Sequence, residues 1–129
     1  MNKIRIYLAG TIYDDEPGKS WKKDFTKKFE DVEYKYEFFD PDPINEPEPY
    51  FVARDKAEIQ KCDILVAYIE RVTVGTTMEI FYAHSLGTKP VMIINPTGKL
   101  YTDLWMNEHI HYLTGTISDC VNHILKMKF

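Results

Sequence analysis

Two short runs, DILVAYIE (63–70) and PVMIIN (90–95), are apolar at nearly every position. A strand with one wet face alternates between apolar and polar residues. An unbroken apolar run of about four to eight residues instead reads as a strand buried on both faces. Such strands belong to parallel sheets, where crossover helices cover both sides. A third segment, Lys3–Ala9, places Ile4, Ile6 and Leu8 on one face and Arg5, Tyr7 and Ala9 on the other, and stops at Gly10. The aromatic-rich stretch Glu33–Phe39 and a short segment near His109–Leu113 complete five expected strands.

Helical signals lie between them. Ser20 is placed to cap a helix to about Glu30, with Trp21, Phe25 and Phe29 spaced i, i+4, i+8. Helices are expected over Tyr50–Lys61 and over Thr76–Ser85, the latter closed by Gly87. A last helix opens at Ser118 or Asp119, and a loop with a short helix fills Pro96–Trp105. Asp40–Pro49 carries four prolines and four acidic residues, so it reads as an extended surface loop. Strand and helix alternate throughout. The expected architecture is α/β: a flavodoxin-like three-layer sandwich with a five-stranded parallel sheet in the order 2-1-3-4-5. A length of 129 residues suits a single domain spanning 1–129.

Composition narrows the function classes. Apolar residues make up 44% of the chain and aromatic ones 14%, enough for a packed core. The net charge is −4 and no Lys/Arg block exceeds two in a row, which argues against nucleic acid as a partner. No apolar stretch approaches the roughly 18 residues that a membrane helix needs, and the opening MNKIRIYLAG resembles no signal peptide. Cys62 and Cys120 form neither a metal spacing nor a disulfide framework, so a reducing cytoplasm is expected.

In open parallel sheets ligands bind beyond the carboxyl ends of the strands. The loops after Ala9, Glu70 and Asn95 therefore matter most. Glu79 follows the central strand near a helix start, where the helix dipole favours a carboxylate. Thr76-Thr77-Met78-Glu79 also has the spacing of a capping box, a purely structural alternative. Asp55, near the start of the preceding helix, either serves that dipole or faces the same crevice. Two carboxylates on one site permit a division of labour between nucleophile and acid or base. Tyr7 is either a core aromatic or a phenol that orients a carboxylate. Gly10-Thr11 and Thr73-Val74-Gly75 offer glycine and hydroxyl groups suited to a phosphate, although neither matches GxxxxGK[ST] or GxGxxG. His109-Ile110-His111 lacks a third ligand and reads as surface, and Cys62 reads as buried and inert. No metal and no cofactor are expected.

Together, IYLAGTI, RDKAEIQKCDILVAYI and VGTTMEIFYAHSLGTKPVMII resemble the nucleoside 2-deoxyribosyltransferases and the related deoxynucleoside 5′-monophosphate N-hydrolases. The shared pattern is an Asp eight residues before the D of D-[IV]-[LV]-V-A, then G-[TL]-x-x-E-[IL]-x-x-A, then G-x-x-[PV]-V. The resemblance implies an enzyme that cleaves the N-glycosidic bond of 2′-deoxynucleosides or their 5′-monophosphates. It makes Glu79 the nucleophile that carries a covalent deoxyribosyl group. Asp55 would be the carboxylate that protonates or binds the leaving base, and Tyr7 the group that orients Glu79. Gly10, Thr11, Gly75 and Met78 would contact substrate. The sugar would pass to another nucleobase or to water.

One departure is informative. Transferases of free nucleosides carry Asp six residues before the catalytic Glu, facing the sugar 5′-hydroxyl, and this chain has Thr73 there. The N-hydrolases have Ser at that position and Ser where Thr11 stands. Thr11 and Thr73, with Arg71 or Lys99, are thus candidates for a 5′-phosphate. The segment 101–106 matches residues with which a neighbouring subunit completes the site. Thr102 or Asp103 would be the polar contact, Trp105 or Met106 the apolar one, and a homo-oligomer with shared sites follows by analogy. Two other classes fit the residues less well. A phosphoacceptor receiver shares the fold class and the Lys89-Pro90 pair, but lacks an acidic pair after the first strand. A non-catalytic nucleotide-binding module would have little use for Tyr7, Asp55 and Glu79 together.

Overall fold

The computed structural model describes residues 3–10, 17–41, 50–87 and 89–128. The elements run β1 (Ile4–Gly10), α1 (Pro17–Lys27), β2 (Tyr36–Phe39), α2 (Tyr50–Lys61), β3 (Ile64–Tyr68), α3 (Val74–Ser85), β4 (Val91–Ile94), α4 (Leu104–Asn107), β5 (Tyr112–Thr114) and α5 (Ile117–Leu125). The strands form one five-stranded sheet, all parallel, in the order β2-β1-β3-β4-β5. This is the flavodoxin-like α/β arrangement expected from the alternation of elements.

The two apolar runs explain the layers. Ile64–Ala67 and Val91–Ile94 are buried on both faces of the sheet. On one face Ile6, Leu8, Ile64, Val66, Met92 and Ile94 pack against Trp21, Phe25 and Phe29 of α1 and Cys120, Val121 and Ile124 of α5. On the other, Tyr7, Ala9, Leu65, Ala67, Val91 and Ile93 pack against Ile59 of α2 and Ile80 and Ala83 of α3. Alternate residues of one strand thus serve different helical layers, the period-2 rule applied to a strand with no wet face.

Several boundaries differ from the sequence reading, each for a local reason. α1 begins at Pro17, so Ser20 lies inside the helix rather than capping it. Proline suits the first helical position because it has no N–H to leave unpaired. Glu33–Lys35 belong to a 3₁₀ turn (Glu30–Lys35) instead of β2, and the Val32 amide bonds back to the Phe29 carbonyl at 2.9 Å. β5 starts later than expected because the amide of His109 bonds back to Met106.O at 3.0 Å. Thr116, not Ser118 or Asp119, caps α5, its hydroxyl accepting from the Asp119 amide at 3.1 Å. Gly87 closes α3 with φ +76°, as its residue type allows.

Both cysteines are buried and unpaired, and burial pushes the Cys62 thiol up to about 11 and the Cys120 thiol up to about 12. No helix among the described residues is long and apolar enough to cross a membrane. The end of β1 is tightly built. The Trp21 indole stacks on Tyr68 with ring centroids 5.5 Å apart, and a Cβ at Gly10 would sit 2.8 Å from its Nε1. That buried Nε1 has no hydrogen-bond partner among the described residues. Gly10→Ala is therefore expected to destabilise the fold by about 1–3 kcal/mol through overpacking. A urea midpoint equal to that of the parent chain would show that the indole yields freely.

Candidate active site

The parallel order turns the carboxyl ends of all five strands toward one edge of the sheet, and the helix starts gather there. Tyr7 projects from β1 onto the α2–α3 side, where it is fully buried. Glu79 lies in the second turn of α3. The Tyr7 phenol donates a hydrogen bond to Glu79 Oε2. Residues 72 apart in the chain are joined here because β1 and β3 are neighbours and α3 follows β3.

The capping-box alternative for Glu79 does not form. α3 begins at Val74 with Thr73 as its N-cap residue, so Thr76 is already inside the helix and buried. The Thr77 amide closes the first helical bond to Thr73.O at 3.1 Å, and its hydroxyl donates to the same carbonyl at 2.8 Å. With no cap to serve, the Glu79 carboxylate turns to Tyr7.

Asp55 sits in the second turn of α2, with its side chain 15% exposed. Its Oδ1 accepts from Arg54 Nε at 3.1 Å and Nη2 at 3.0 Å. Each carboxylate thus has one oxygen held by a protein donor. The other oxygen, Glu79 Oε1 or Asp55 Oδ2, takes no hydrogen bond among the described residues. Arg54 Nη2 also donates to Pro41.O at 2.8 Å, and the guanidinium lies 5.5 Å from the Phe39 ring centre. Phe39 stacks on Tyr7, with centroids 5.5 Å apart.

Electrostatics follow from burial. Burial, the Glu79 charge and the hydrogen bond to Glu79 all hold the Tyr7 phenol far above its ordinary range, so it remains a proton donor. Burial pushes Glu79 up to about 7; the Asp55 charge adds to this, while the Tyr7 hydrogen bond and Lys22 oppose it. Burial also raises Asp55, against the opposing pull of Arg54 and Lys22. Lys22, from α1, is 13% exposed and pairs with Asp40 at 2.5 Å.

The remaining sequence candidates fall into three groups. Gly10, Thr73 and Gly75 stand at the carboxyl edge: Gly10 ends β1, and Thr73 and Gly75 flank the start of α3. A Cβ at Gly75 would meet nothing within 4 Å among the described residues. Thr11 lies outside the described residues. Met78 is 66% exposed and Trp105 82% exposed. Thr102 ends a 3₁₀ turn, and Asp103 caps α4, its Oδ1 accepting from the Met106 amide at 2.7 Å. Among the described residues, no hydrogen bond, ion pair or ring contact joins 101–106 to Tyr7, Asp55 or Glu79 in the same chain.

His109 and His111 both contact the His84 ring, with centroids 4.9 and 5.9 Å apart. No three metal-binding side chains among the described residues are placed to hold an ion. Sequence reasoning missed Arg54, Phe39 and Lys22. Arg54 is the immediate neighbour of Asp55, but adjacent helical residues point about 100° apart, so their pairing carries no sequence signal.

No family model matches the chain, and no curated protein does. Several solved structures share its fold. A conserved protein from Enterococcus faecalis superposes with a TM-score of 0.76 at 14% identity, over 97% of this chain and 99% of the other. A 2-deoxyribosyltransferase from Bacillus psychrosaccharolyticus gives 0.74 at 23% identity, over 92% and 90%. The CMP N-glycosidase of Clostridium botulinum gives 0.61 at 20% identity, over 95% and 99%.

The raised pKa of Glu79 has a consequence for stability. Its carboxyl titrates near 4.5 when exposed and near 7 in the fold. Between those values the folded chain retains a proton that the unfolded chain has released. Its contribution is thus complete below about pH 4.5 and is lost as pH rises through about 7. Glu79→Gln should shrink this decline in urea unfolding measured from pH 4 to 8. A decline of unchanged size would place the titration on another group.

Proposed function

We propose that this chain is a member of the nucleoside 2-deoxyribosyltransferase family. It cleaves the N-glycosidic bond of 2′-deoxynucleosides or their 5′-monophosphates. The observation that carries the reading is the Tyr7–Glu79 hydrogen bond, with Asp55 facing the same edge of the sheet. A carboxylate with one oxygen tied to a phenol and one oxygen free is oriented for attack on a single carbon. The shared fold of a 2-deoxyribosyltransferase and a CMP N-glycosidase supports the same chemistry.

In the proposed reaction Glu79 Oε1 attacks C1′ and forms a C–O bond. The C1′–N bond breaks and its electron pair leaves with the base. Asp55 protonates or binds that base. A second nucleobase or water then displaces Glu79 from C1′, and two displacements give net retention. Tyr7 holds the carboxylate in place and offsets part of the rise in its pKa that burial causes. The pathway uses only side chains of this protein. Gly10, Thr11, Gly75 and Met78 are the proposed contacts to the sugar and base.

Glu79→Gln should lower turnover by about a thousandfold or more, since the nucleophile itself is lost. Mass spectrometry of the parent enzyme mixed with substrate should find a deoxyribosyl adduct on the peptide holding Glu79. An adduct elsewhere, or an active Gln variant, would overturn the assignment.

The 5′-monophosphate is the favoured substrate within this class. The Thr73 hydroxyl makes no capping bond, and it stands at the amino end of a twelve-residue helix, where amides attract an anion. Thr11 and Arg71 or Lys99 are the proposed further partners. Thr73→Asp should reduce the kcat/KM ratio of monophosphate to free nucleoside by about tenfold through charge repulsion. An unchanged ratio refutes the phosphate reading.

A homo-oligomer with shared sites fits the exposed apolar stripe Val74, Met78 and Phe81 on α3 beside Leu104 and Trp105 on α4. In that arrangement Thr102, Asp103 and Trp105 would reach the site of a partner copy.

A further inference from the structure

We propose that Arg54 is a positioning residue. It holds Asp55 in one orientation as a carboxylate, so that Asp55 meets the leaving base as a hydrogen-bond acceptor rather than as an acid. The inference rests on the functional reading above and assigns one of the two roles left open for Asp55.

The geometry is specific. Arg54 and Asp55 are consecutive on α2, and consecutive helical side chains diverge. Arg54 nevertheless turns back and places two N–H groups on the single oxygen Oδ1. Three contacts hold the guanidinium there: Asp55 itself, Pro41.O at 2.8 Å and the Phe39 ring at 5.5 Å. Phe39 in turn stacks on Tyr7, which donates to Glu79. One aromatic ring from β2 therefore braces the donors of both carboxylates. A two-pronged charged donor stabilises the ionised form of its acceptor and restricts its rotation.

The charged groups around Asp55 do not supply this alone. Glu58 on its own helix and Glu79 on α3 are anionic neighbours. Lys22 on α1 is the other cation among the described residues, and it is engaged by Asp40. Tyr7 from β1 donates to Glu79, not to Asp55. Arg54 is thus the main group that offsets the burial of Asp55, with a smaller contribution from Lys22. With Oδ1 occupied, Oδ2 is the oxygen left to accept an N–H of the base. The nitrogen freed when C1′–N breaks takes its proton from water.

The test compares Arg54→Ala and Arg54→Lys with the parent chain. Carbon-13 NMR titration of the side-chain carboxyls needs no substrate. In Arg54→Ala, Asp55 should titrate about one unit higher or more, because the cation that favours its ionised form is gone. A loosened fold would do the reverse, since burial is what raises Asp55 and exposure would bring it back toward its ordinary range. In cleavage assays, kcat/KM should fall by about tenfold, mostly through KM, with Lys restoring only part, because it lacks the fork. Free guanidinium at tens of millimolar should recover activity in Arg54→Ala but not in Asp55→Ala. An unmoved Asp55 titration in either folded variant, or a loss confined to kcat, overturns the proposal. A parent chain that cleaves no substrate counts against the functional reading alone, because the titration still reports on Arg54.

Discussion

Everything in this molecule is arranged around β3, a strand that meets water on neither face. Leu65 and Ala67 belong to one layer of the core, Ile64 and Val66 to the other. Such a strand requires helices on both sides of the sheet, and parallel neighbours require those helices to be the crossovers. Once the crossovers are in place, every β–α loop emerges at the same edge. The grouping of Tyr7, Asp55 and Glu79 from three different elements is a consequence of this packing constraint.

The site itself is built by burying charge and then limiting what the burial does. Desolvation raises both carboxylates, and each is met by one donor: a phenol for Glu79 and a guanidinium for Asp55. The Tyr7 phenol keeps its proton and so serves only as a donor. Among the described residues neither carboxylate is saturated, which leaves each with one oxygen that takes no hydrogen bond. The arrangement is that of paired carboxylates in distinct environments, the pattern by which similar groups take different roles.

How much of this was legible depends on whether the signal is local. The runs 63–70 and 90–95 declare their burial through composition alone, and the strand order follows from alternation. The end of α3 was legible at Gly87, whose positive φ calls for glycine. Its start was not, because Thr73 and Thr76 are both plausible caps and the choice lies in backbone geometry. For the same reason Thr116 displaced Ser118 and Asp119 at the head of α5. Tyr7, Asp55 and Glu79 were visible as candidates through a family pattern. Arg54 and Phe39 were not, because their contacts join residues whose spacing predicts none.

By itself, then, the sequence determined the layer architecture, the parallel order and the edge of the sheet where a ligand belongs. Apolar periodicity and residue-type preferences are short-range properties that a single chain displays openly. Only the tertiary structure decided that Glu79 reaches Tyr7 instead of capping its own helix. It alone turned Arg54 back onto Asp55 and committed Asp103 to a cap. Those outcomes turn on which donor a side chain finds within about 3 Å, and that is settled by chain crossings between residues far apart in sequence.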